Sequence, residues 1–129
     1  GIDRTFLVAP SSTDARIDIV SGATTGFVYA ASTMGVTGTR DTVSDAAPQL
    51  VGRVRERTSQ PIGVGLGVSS AEQAASIAGY ADGVIVGSAF IRRVLDAESS
   101  AEATAEVGRF AAELREGVGR STHLSEPDT

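Results

Sequence analysis

The sequence predicts an α/β protein built on a parallel sheet. A short apolar run, a Gly/Ser/Thr-rich junction and a helical pattern follow one another four times along the 129 residues. The runs are continuous rather than alternating, which suits strands covered on both faces. The connections between strand and helix are short, as in successive strand-helix units, whose crossovers are right-handed.

In the first unit Phe6 to Ala9 is the apolar run and Pro10 ends it. The segment "SSTD" offers N-cap side chains, and Ile17 and Val20 then share one helical face. The second strand is "GFVYAAS", residues 26 to 32, followed by the longest irregular stretch, "TMGVTGTRDTVSDAA". Pro48 suits the first position of the next helix, whose apolar stripe is Leu50, Val51 and Val54. The third strand, Ile62 to Val68, has glycine at 63, 65 and 67. Ser70 and Gln73 then have capping-box spacing, and Ala74, Ala75, Ile77 and Ala78 give a small-residue inner face. The fourth strand is "DGVIVGS", residues 82 to 88, and Ser88 opens a short helix through "AFIRRVLDA". A last helix is expected over 101–118, with Val107, Phe110, Ala111, Leu114 and Val118 on its inner stripe. Glu106 and Glu113 can pair with Arg109 on its outer side. Residues 119–129 read as a polar, frayed tail, which leaves 1–118 as the folded domain.

Composition narrows the function classes. Hydrophobic residues make up 41%, enough for a globular core, and aromatics only 5%, so the core is aliphatic. A net charge of −5 argues against a nucleic-acid partner. The one basic cluster, Arg53, Arg55 and Arg57, reads as a solvated helix face. With no Cys and one His, disulfides and a metal centre are not expected. No apolar run approaches the ~18 residues of a membrane span. The chain opens on Gly1 without Met and reads as a processed or truncated piece.

Glycine in a strand interior weakens it, so the alternation at 63, 65 and 67 implies a close approach to the backbone. Nucleotide fingerprints fail. Val68 stands where G-x-G-x-x-G needs its last glycine, and a phosphate loop needs a lysine the chain does not have. Two architectures compete, an open doubly wound sheet and part of a (β/α)8 barrel. In barrels a phosphate commonly sits on the loops after the last two strands and on the N-terminus of a short extra helix. The glycine-marked strand ends at Gly67 and Gly87, with the helix from Ser88, fit that arrangement. The alternative is that these glycines only relieve crowding of helix against sheet.

The segments "GFVYAASTMGVTGTR", "PIGVGLGVSSAEQ" and "ADGVIVGSA" resemble the C-terminal half of the tryptophan synthase alpha chain family, in order and spacing, from about Phe6 to Val118. The Y-x-x-S-x-x-G-V-T-G segment from Tyr29 to Gly38 is specific to it; the other two are shared with further phosphate-binding barrels. The resemblance implies a parallel (β/α)4 half of a (β/α)8 barrel of the phosphate-binding type, in a cytoplasmic enzyme of tryptophan biosynthesis. That enzyme splits indole-3-glycerol phosphate into indole and glyceraldehyde 3-phosphate by a retro-aldol reaction. By the same resemblance Gly38, Gly67, Gly87 and Ser88 hold the substrate phosphate. Tyr29 matches the active-site tyrosine, and Thr37 the threonine of a mobile loop that folds over substrate. Leu66 stands where many members have Phe. No metal and no cofactor is implied in this chain, since pyridoxal phosphate belongs to the partner beta chain.

One departure is large. The family's acid/base glutamate and its partner aspartate lie on earlier strands, and no acid here replaces them. Asp14, Asp18, Glu72, Glu102, Glu106 and Glu113 read as cap or surface positions, Asp41 and Asp45 lie in the long loop, and Asp82 lies at the wrong strand end. A full barrel runs about 250 residues. The expectation is therefore a phosphate clamp and a lid over 33–46 without the chemistry, inactive alone, which pairs with the missing N-terminal half-barrel or self-associates. Two alternatives are a different phosphate-binding barrel isomerase and a non-catalytic half-barrel.

Overall fold

The computed structural model describes residues 2–32 and 46–125, with side chains as far as Arg120. The order of elements is β1 (Leu7–Val8), α1 (Asp14–Ala23), β2 (Val28–Ala31), α2 (Ala46–Arg55), β3 (Ile62–Gly65), α3 (Ala71–Ala78), β4 (Gly83–Val84), α4 (Ser88–Asp96) and α5 (Ser100–Ser125). All four strands pair in parallel, in the order β1-β2-β3-β4. That order separates the two architectures. Successive strands lie side by side in chain order, as in a barrel, whereas a doubly wound sheet reverses its order partway.

The chain forms two compact units, one of residues 1–66 and 80–85, the other of 67–79 and 86–129. The first holds the sheet with α1 and α2. Register places Val8, Ala30, Val64 and Val84 in one row, and Leu7, Tyr29, Gly63 and Gly83 in the next. Side chains alternate between faces, so Val8, Val28, Ala30, Ile62 and Val64 share one face, and all five are buried. Ile17 of α1 and Leu50, Val51 and Val54 of α2 are buried with them. The opposite face is less covered: Leu7 is 58% exposed and Phe27 38%. The continuous runs led us to expect cover on both faces, and these described residues supply it on one.

The basic cluster at the end of α2 lies on a largely exposed face, as expected, and its guanidiniums are paired there. Arg53 donates to Asp14 and to the Pro10 and Ser12 carbonyls. Arg57 pairs with Asp14 and Asp18, and Arg55 with Asp82 and the Tyr80 carbonyl. The guanidinium of Arg53, and then the charge of Arg57, hold the Asp14 carboxyl below its ordinary pKa. The cluster ties α2 to α1 and to the start of β4.

In the second unit α5 packs on both α3 and α4. Val68, Ala74, Ile77, Phe110 and Leu114 are its buried side chains. Here α5 departs from expectation. It runs to Ser125 rather than ending near 118, and Ala111 is exposed while Gly117 is buried. A Cβ at Gly117 would collide with the Ala71 carbonyl oxygen. The glycine serves contact between helices, and the inner stripe follows Phe110, Leu114 and Gly117. In the first unit Pro48 is the third residue of α2, still within the first turn that tolerates proline.

Candidate phosphate-binding site

The three alternating glycines have three different surroundings. A Cβ at Gly63 would lie 3.0 Å from Ile85 Cδ1 and 3.4 Å from the Phe27 ring. A Cβ at Gly65 would lie 2.7 Å from the Tyr29 hydroxyl. Both glycines make room for side chains of neighbouring strands, so what crowds them is strand rather than helix. Gly67 differs. It has φ +75°, where L side chains are strained, and a Cβ there would meet nothing within 4 Å among the described residues. It is glycine for backbone conformation.

Three helix N-termini are closed by the chain itself. Thr13 Oγ1 accepts from the Arg16 amide at 3.2 Å. Ser70 Oγ accepts from the Gln73 amide at 3.2 Å, and Gln73 Oε1 reaches back to the Ser69 amide at 2.7 Å. The expected capping box thus forms, with its return bond one residue earlier. Ser99 and Glu102 repeat the pattern on α5. Each of these helices also carries an acid in its first turn, Asp14, Glu72 and Glu102.

The helix α4 has neither device. Its N-cap is Gly87, there is no side-chain cap, and no acid lies in the first turn. The Phe90 and Ile91 amides donate to the Gly87 carbonyl, but those of Ser88 and Ala89 come too early for an intrahelical acceptor. Two amides, the Ser88 hydroxyl and an uncompensated positive helix end form an anion-accepting arrangement. Gly67, Gly87 and Ser88 all belong to the second unit. Tyr29 lies on β2, in the first unit, with its ring over Gly65. Thr37 and Gly38, with the loop expected as a lid, lie outside the described residues.

The described acids are engaged elsewhere or exposed. Asp82 Oδ2 accepts from the Ile62 amide at 2.9 Å and from Arg55 at 3.1 Å, which makes it a brace at the start of β4. Glu106 pairs with Arg109 and Arg93. Glu72 and Glu113 are exposed. Among the described residues no group of three His, Cys, Asp or Glu is placed to hold a metal ion. No helix among them is long and apolar enough to cross a membrane. A cavity of about 280 Å³ opens beside Phe27, Pro61, Gly63 and Ile85. It lies at the N-terminal ends of the strands, away from the C-terminal ends where barrels carry their chemistry. Sequence reasoning missed the Arg93–Phe110–Glu106 cluster, because it joins residues from two helices. The absence of an acid after Ser88 was legible and would have marked α4 earlier.

The family model for the tryptophan synthase alpha chain matches residues 1–118. The tryptophan synthase alpha chain of Acidothermus cellulolyticus is 60% identical over 120 residues, covering 93% of this chain and 44% of that protein. That of Mycobacterium avium is 67% identical over 96 residues, covering 74% of this chain and 35% of the relative. The chain therefore spans less than half the length of these relatives. Among solved structures, tryptophan synthase from Mycobacterium tuberculosis superposes with TM-score 0.72 at 56% identity, over 91% of this chain and 42% of that one. A mutant tryptophan synthase alpha-subunit from Pyrococcus furiosus gives 0.73 at 34% identity, over 90% and 46%. These neighbours are (β/α)8 barrels, and the four successive strand-helix units are half of one. Fold, family model and relatives agree, and the chain belongs to the tryptophan synthase alpha chain family.

Proposed function

We propose that this chain supplies the phosphate seat of a tryptophan synthase alpha subunit, a cytoplasmic lyase that cleaves indole-3-glycerol phosphate into indole and glyceraldehyde 3-phosphate. The observation that carries the reading is the uncapped, acid-free N-terminus of α4 in a chain of this family. The Ser88 and Ala89 amides and the Ser88 hydroxyl donate to phosphate oxygens, and the open backbone at Gly67 and Gly87 lets the anion approach. Gly38 joins them, and Tyr29 and Thr37 help arrange and cover substrate, by the resemblance of their shared segment.

Retro-aldol cleavage needs an acid to protonate the indole ring carbon and a base to take the glycerol hydroxyl proton. The described acids are capping groups, ion-pair partners or exposed surface residues, so both groups come from the rest of the subunit. The domain matched by the family is 1–118, and the polar residues beyond it continue α5 as far as Ser125. The exposed Leu7 and Phe27 face pairs with the remaining strands or, without them, with another copy of the chain. The beta chain is the partner that holds pyridoxal phosphate. These 129 residues include no lysine to form the Schiff base that group needs.

An indole assay with light scattering tests this reading. The chain alone is expected to associate and to make no indole, and addition of the N-terminal half to restore a uniform particle and turnover. A monomeric chain that produces indole by itself would overturn it, because acid and base would then lie among residues placed here in caps, in ion pairs or on the surface.

A further inference from the structure

We propose that Arg93 is a positioning residue for the phosphate seat: it fixes the direction in which α4 presents the Ser88 and Ala89 amides. The inference rests on the phosphate reading above. No residue of α4 is fully buried, and Ile91, Val94 and Leu95 are largely exposed. Two side chains of the helix, three residues apart, contact α5. Phe90 meets Phe110 edge-on, with ring centroids 4.9 Å apart and planes at 61°. Arg93 lays its guanidinium 3.9 Å from the centroid of the same Phe110 ring. Its Nη1 reaches Glu106 at 3.7 Å, and Arg109 holds that carboxylate from the other side.

Phe110 is 1% exposed, so the ring that receives both contacts is itself fixed in the core. Arg93 Nε is buried and has no hydrogen-bond partner among the described residues, so the ring and Glu106 are the partners its guanidinium meets there. Stacking on the ring and pairing with Glu106 therefore set the side chain's orientation. A planar guanidinium does both at once, and an ammonium does not. Phe90 and Arg93 lie within two turns of Ser88, so freedom at that contact becomes freedom in the aim of the amides.

The test is inorganic phosphate affinity of the full chain, read by titration beside a thermal melt. Arg93→Met is expected to weaken binding about fivefold or more, Glu106→Gln by about twofold to fivefold, and Arg93→Lys to recover part of the loss. Leu114→Ala, one turn further along α5, is expected to lower the melting temperature and leave phosphate affinity unchanged. If Arg93→Met does not fold, Glu106→Gln carries the same comparison. Wild-type affinity in folded Arg93→Met or Glu106→Gln overturns the positioning role and leaves the seat standing. An affinity lost equally in Leu114→Ala overturns it too, because loosening α5 anywhere would then suffice. Failure of the wild-type chain to bind phosphate overturns the seat and this inference together.

Discussion

The N-termini of α3 and α4 start from similar sequence and end up in opposite states. Both follow a glycine-marked strand end, at Gly67 and at Gly87, and both have a serine at the first turn. At α3 the serine is the cap, Gln73 closes the turn from the other side, Glu72 offsets the dipole, and α5 brings Gly117 against the Ala71 carbonyl. At α4 the serine lies one position inside the helix, glycine takes the cap, and no acid follows. A one-residue shift decides whether a helix end satisfies itself or is left for a ligand. Helix N-termini are therefore better compared by what they lack than by the motif they carry.

The largest expected effects are at the open end. Gly67→Val puts a β-branched side chain at φ +75° in the proposed seat, and is expected to reduce phosphate affinity by more than about tenfold. Gly87→Asp places a carboxylate in the proposed seat. Nothing among the described residues lies within 4 Å of a Cβ there, so the fold should tolerate the change while binding falls by a similar factor. Equilibrium titration with phosphate measures both.

Next come the effects that define the closed end. Gly117→Ala is expected to cost about 1–3 kcal/mol, since backbone must shift to admit the methyl group. Gly119→Ala, with nothing within 4 Å, is expected to gain about 0.5–1 kcal/mol as an ordinary helix substitution. Ser70→Ala should cost about 1 kcal/mol by denaturant unfolding and leave phosphate affinity unchanged.

The smallest effect concerns the self-compensated end of α1. The folded pKa of Asp14 is held below its unfolded value by Arg53 and then Arg57. Its contribution to stability is thus present above the unfolded value, near 3.8, and is lost as pH falls through the lower folded value. Asp14→Asn is expected to flatten the drop in melting temperature on acidification below about pH 4. An unchanged acid limb would show that the pair is screened away.

The two ends also show how far the sequence could be read. The middle strands and their buried residues Val28, Ala30, Ile62 and Val64 were legible, because continuous apolar runs report burial directly. The capping box at Ser70 was legible because it is local. β1 and β4 are two residues long, shorter than their runs, since each pairs on one side only among the described residues. Gly63 and Gly65 could not be explained from the sequence. Their neighbours Ile85, Phe27 and Tyr29 arrive from other strands. The length of α5 was hidden for the same reason, because Gly117 answers to Ala71, more than forty residues away. At the candidate site, Gly67, Gly87 and Ser88 were legible as strand-end glycines and a helix start, and the uncapped state of α4 came with the structure.

The central claim is that α4 rather than α3 receives the anion, and amide-resolved NMR during titration with inorganic phosphate tests it most directly. Saturable shifts are expected at Gly67, Gly87, Ser88 and Ala89, with the Ala71, Glu72 and Gln73 amides silent at the same concentrations. Equal shifts at both helix ends, or shifts at α3 alone, would contradict it.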